Sequence, residues 1–150
     1  MKKALALSFL LLGVAYAGAK KTASYPPENL LWTSYRNSGL SNGGTLGGRL
    51  LATRAFVVTA VNVSVASVGG GGAGTSVITI TDGTNNCLVT MTCALSAANG
   101  RYRTGTTAGL TLSGACTFAP GADVRATVTT AGCTTTQPTV NNIDVLGIWP

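Results

Sequence analysis

The 150-residue chain contains no histidine. Ser-His-Asp and Cys-His nucleophile systems and imidazole-based metal sites are therefore excluded. Acidic residues are nearly as scarce: Glu28, Asp82, Asp123 and Asp144 are the full set. Glycoside hydrolysis ordinarily sets two carboxylates across a cleft. Asp82 and Asp123 instead fall in turn signals, where Asp serves local hydrogen bonding. The turn "DGTNN" at 82–86 offers one carboxylate, too few for a calcium site. The run "GGGGAG" at 69–74 lacks the Lys-Ser/Thr of a phosphate loop and opens no helix. Only 9% of residues are charged, against roughly a quarter in an ordinary globular chain. Together these absences lead us to expect a non-enzymatic protein with no cofactor and no metal.

Charge is also unclustered. The start "MKKALALSFLLLGVAYAGAKK" has two lysines, an apolar run from Ala4 to Val14, and two small-residue A-x-A sites. That is the layout of a secretory signal peptide, and the run is too short to span a bilayer comfortably. An uncleaved apolar anchor is the alternative for residues 1–19. Without Lys2 and Lys3, eight basic residues face four acids, a net charge of +4. The basic residues are scattered, which argues against nucleic acid as a partner. A mild positive charge still favours anionic cell-surface polymers.

What the chain has in quantity is glycine, threonine and valine. Residues 20–53 carry a Pro-Pro pair and several glycines without sustained periodicity. They suggest an extended arm or linker, docked if Trp32 is buried. From residue 54 onward a period of two appears. In "RAFVVTAVNVSVASV" Val57, Val61, Val63 and Val65 share one face, with Asn62, Ser64 and Ala66 on the other. Further alternating runs place Ile78 and Ile80, then Val124, Ala126 and Val128, then Ile143 and Val145, inward; Arg125 and Asp144 point out. "PGAD" at 120–123 is a second tight turn. The spacing predicts about six strands over 54–150, plus one from the arm, in an antiparallel β-sandwich of jelly-roll or immunoglobulin-like type.

The four cysteines, Cys87, Cys93, Cys116 and Cys133, are even in number and include no C-x₂-C pair. In an exported chain this favours disulfides over metal or redox roles. Cys87 and Cys93 bound a strand-like run, "NCLVTMTC". Six residues of strand span about 20 Å, whereas a disulfide needs Cα atoms within about 7 Å. A continuous strand thus forbids a Cys87–Cys93 bridge. If residues 109–118 pair antiparallel with it, a register with Cys93 opposite Leu110 sets Cys87 opposite Cys116, leaving Cys93 for Cys133. The crossed pairing, Cys93–Cys116 with Cys87–Cys133, needs a shifted register or a crossing of the sandwich. Reduced core cysteines are the third option.

One stretch carries recognition chemistry. "NGRYRTG" at 99–105 sets Tyr102 between Arg101 and Arg103 on a glycine-flanked loop. An aromatic face beside guanidinium groups suits sugars or anionic polysaccharide; the plainer reading is a solvated loop. "NVS" at 62–64 matches a glycosylation sequon, but it lies within a predicted strand.

The runs "VITITDGTNNC", "CTFAPGADVRATVTTAGC" and "TTQPTVNNIDVLGIW" resemble in pattern the small β-domains of phage virion proteins, namely tail-fibre heads, head fibres and capsid decoration proteins. The resemblance covers about residues 55–150. It implies a structural or host-attachment role, often as a trimer, at a virion surface or another extracellular location, and transfers no catalytic residues. Its partners would be further copies or other virion or surface-assembly proteins. The second functional expectation is a secreted bacterial carbohydrate-binding or adhesive module that contacts a cell-surface glycan.

Overall fold

A computed structural model describes residues 29–39, 41–66, 72–97, 99–135 and 137–150. Residues 1–19, for which a signal peptide or anchor is expected, lie outside the described residues.

The chain folds as an antiparallel β-sandwich. Its strands are β1 (Asn29–Gly39), β2 (Leu50–Leu51), β3 (Phe56–Ala66), β4 (Thr75–Thr81), β5 (Asn86–Thr92), β6 (Gly100–Arg103), β7 (Leu110–Gly114), β8 (Thr117–Phe118), β9 (Asp123–Ala131) and β10 (Thr139–Ile148). The first sheet has the order β1-β10-β3-β6, with β8 also on β3; the second has the order β2-β9-β4-β5-β7. Every pairing is antiparallel. The segment expected to be an arm supplies β1 and β2. Trp32 is 8% exposed, and its neighbour Ser34 donates from Oγ to the Gly47 carbonyl. The described residues of this segment, 29–39 and 41–53, are therefore docked.

The inner faces follow the sequence alternation. Ile78, Ile80, Val89, Met91, Val124, Ala126 and Val128 from the second sheet meet Val61, Val63, Val65, Ile143 and Val145 from the first. Burying these side chains supplies the main driving force for folding. Val57 departs from the expected face. The β3–β10 register slips between Ala60 and Val58, leaving Thr59 as the extra residue of a bulge. A bulge shifts the inward phase by one, so Phe56 and Val58 point inward on one side of it and Val61 onward on the other. Val57 is left on the outer phase, half-buried. Phe56 and Phe118 close this end, with ring centroids 5.1 Å apart. Trp149 meets Phe56 edge-on at 5.7 Å, and the Arg54 guanidinium lies 4.2 Å above the Trp149 ring.

Two disulfides cross-link the sandwich, Cys87–Cys116 and Cys93–Cys133. The pairing matches the favoured expectation, but the register does not. Met91 lies opposite Leu110 and Cys87 opposite Gly114. The reason is Gly114, which has φ +86°. A Cβ there would overlap the Asn86 carbonyl oxygen, the same oxygen that accepts from Ala115 N–H at 2.9 Å. The bend brings Cys116, two residues on, to a Cα separation of 4.5 Å from Cys87. Cys93 opens a short 3₁₀ helix, Cys93–Ala97, instead of ending a strand. Two intramolecular disulfides with no free cysteine fit an oxidising environment.

Candidate functional site

The stretch 99–105 is not the loop its glycines suggest. Residues Gly100–Arg103 form β6, which pairs with β3 through Asn62↔Arg103, Val63↔Tyr102, Ser64↔Arg101 and Val65↔Gly100. Successive side chains of a strand point to opposite faces. Tyr102 therefore turns inward with Val63 and packs against the core. Arg101 and Arg103 point outward. The structure brings the two arginines together and separates the aromatic ring from both.

Register carries the outer face across the sheet in two polar rows. One runs Thr33, Asp144, Asn62, Arg103; the other includes Asn142, Ser64 and Arg101. Asp144 lies between them. It was expected to face solvent, and its strand phase is indeed outward, yet it is only 6% exposed. Its Oδ1 accepts from Thr33 Oγ1 at 3.0 Å and from Asn142 Nδ2 at 3.1 Å. Its Oδ2 accepts from Arg101 Nη2, forming an ion pair. A desolvated carboxylate is costly unless paired and hydrogen-bonded; here neighbouring polar side chains both cover and satisfy it. The Arg101 side chain remains 62% exposed. One of its N–H donors holds the carboxylate while the head group stays at the surface. Sequence alternation could find the direction of Asp144 but not its distant partners, Thr33 of β1 and Arg101 of β6, which join Asn142 of its own strand.

The other two aspartates and the four cysteines do structural work. Asp82 accepts from the backbone N–H of Asn85 at 2.7 Å and of Thr84 at 2.9 Å. These two donors, Asn85 first, hold its carboxyl below the usual carboxylate range. Asp123 pairs with Arg49 at 3.1 Å, both well exposed. All four cysteines are in disulfides. Among the described residues no group of three or more Cys, Asp or Glu converges as a metal site.

One concavity lies elsewhere, at the flank where β3 carries its bulge. It is a cleft of about 580 Å³ between Thr59 and the 104–112 segment, lined by Thr104, Thr106, Thr107, Leu110 and Leu112 among others. Thr104 there is already engaged: its Oγ1 accepts from Val61 N–H at 2.9 Å and its N–H donates to Val61 O at 3.0 Å. The threonine seals the β3 edge in the gap between β6 and β8. Comparison with protein-family models, with characterised proteins and with solved structures finds no match to this chain.

Proposed function

We propose that this protein is a non-enzymatic structural and attachment component of a virion or another extracellular assembly, acting through self-association and surface binding. The observation that carries this reading is the assignment of its reactive groups. Each carboxylate of the described residues has a structural partner, and every thiol is oxidised into a bond that staples the sandwich. Such a chain is built for rigidity in an oxidising place. Rigid, disulfide-supported modules keep a binding surface pre-organised and lower the entropic cost of association. The test is where the natural protein is found and in what form. Mass spectrometry of purified extracellular particles or surface layers is expected to recover it in stoichiometric amount, oxidised and oligomeric. Recovery only as a soluble monomer in the medium would overturn the reading.

A second reading, a secreted carbohydrate-binding or adhesive module, is favoured by one feature: the hydrogen-bonding rows on the outer face of the first sheet. Glycan-array binding that is lost on disruption of that face is its test.

A further inference from the structure

We infer that the outer face of the first sheet, at its β6 edge, is a binding site for an anionic glycan, with Arg101 and Arg103 receiving the acid group. The inference rests on the second reading above and gives that reading a site and a ligand class.

The argument begins with spacing. Arg101 and Arg103 lie two residues apart on one strand, so their Cα atoms are separated by roughly 6.8 Å and their side chains share a face. Guanidinium groups offer planar forks of N–H donors that match carboxylate or sulfate oxygens bidentately. A patch of two arginines and one aspartate retains a net positive charge. Asp144 also uses Arg101 at one end only, through Nη2. The contact draws the guanidinium over the sheet while most of the side chain stays exposed.

The rest of the face supplies what a sugar needs. Asn62 lies beside Arg103 in register, and Ser64 lies beside Arg101 with Asn142 beyond it. All three are part-exposed. Amide and hydroxyl groups both donate and accept, which suits the hydroxyls of a pyranose. β-strands lie about 4.8 Å apart, so side chains from β10, β3 and β6 are spaced on the scale of a single sugar ring. Tyr102 faces the core, so this is a hydrogen-bonding site without a stacking platform. Polar contacts therefore dominate, and binding weakens with salt.

The full-length protein is titrated calorimetrically with oligogalacturonate, with the same oligosaccharide after methyl esterification, and with sulfated dextran oligosaccharide. Saturable, salt-sensitive binding is expected for at least one acidic probe and none for the ester. Preference between the two acidic probes distinguishes carboxylate from sulfate as the recognised group. Arg101→Ala and Arg103→Ala are each expected to weaken binding about ten-fold or more. Arg125→Ala removes the same charge from the opposite sheet and is expected to leave affinity unchanged. Near-native circular dichroism in each variant keeps the comparison meaningful. Equal binding of acid and ester, or equal losses in all three variants, overturns this site while leaving the carbohydrate-binding reading intact. Binding to none of the probes overturns the site; a glycan array also without hits overturns the carbohydrate-binding reading with it.

Discussion

Cys87 lies in β5 of the second sheet, while its disulfide partner Cys116 lies where the chain leaves that sheet for the first. The Cys116 carbonyl accepts from Val58 N–H of β3 at 2.8 Å, and the two cysteine Cα atoms are 4.5 Å apart. This bridge ties one layer of the sandwich to the other. The second, Cys93–Cys133, ties the end of β5 to the segment after β9.

Removing either bridge is expected to destabilise the fold. The partners are 29 and 40 residues apart, and loop closure on that scale contributes about 3–4 kcal/mol each. The loops overlap in sequence, so the two contributions are not additive. Cys87→Ala with Cys116→Ala, and Cys93→Ala with Cys133→Ala, are each expected to lower the urea midpoint and to steepen the slope, because the unfolded chain without the cross-link exposes more surface. A pair of variants with wild-type midpoints would show that the bridges do not constrain the unfolded chain.

Asp144 is expected to matter more for stability than the arginine that pairs with it. Asp144→Ala leaves donors on Thr33 and Asn142 without their acceptor and costs about 2–3 kcal/mol. Arg101→Ala costs less, about 1–2 kcal/mol, because truncating a side chain that is 62% exposed lets water reach the carboxylate it covered. Chemical denaturation of both variants checks the order; a larger loss for the arginine variant would contradict the network described for this face.

Gly147 is expected to tolerate no side chain. Its backbone conformation is ordinary, but an added Cβ would overlap the Val57 carbonyl oxygen and Leu31 Cδ1. Gly147→Ala should cost about 1–3 kcal/mol through overpacking. At Gly83 the added Cβ meets open space, so Gly83→Ala should cost only the backbone strain of φ +94°, about 1–2 kcal/mol. Crystal structures of the two variants are expected to show a shifted β3–β10 pairing in the first and an unmoved sandwich in the second.

Asp82 gives a pH signature. The Asn85 and Thr84 backbone donors lower its folded-state pKa below the ordinary value of 3.8. The unfolded chain therefore takes up the proton first. The stabilisation is fully present above the unfolded pKa and is lost as pH falls through the folded one. Asp82→Ala is expected to reduce the urea midpoint near neutrality, with the gap to wild type narrowing below about pH 4. A gap that is constant down to about pH 2 would mean that the ionised carboxylate does not support the turn.

The amino-acid sequence by itself determined the fold class, most of the core and the exclusion of one cysteine pairing, while the choice between the remaining pairings waited on the bend at Gly114. Alternation of valine and isoleucine with polar residues is a local consequence of strand geometry, and the impossibility of a Cys87–Cys93 bridge follows from strand length alone. The two tight turns were legible for the same reason, since Asp82 and the 120–123 segment act on their own neighbours. Tertiary structure decided what depends on distant chain. The bulge at Thr59 moved Val57 off the expected face because a register slip arises between two strands and belongs to neither alone. Glycines around residues 100–103 favour a loop locally, but the open edge of β3 captured that segment as β6 and so parted Tyr102 from its arginines. The burial of Asp144 was the least legible feature. A carboxylate at an outward position is ordinary in sequence, and only the assembly of the sheet brings Thr33 of β1 and Arg101 of β6 to join its strand neighbour Asn142 in covering and holding it.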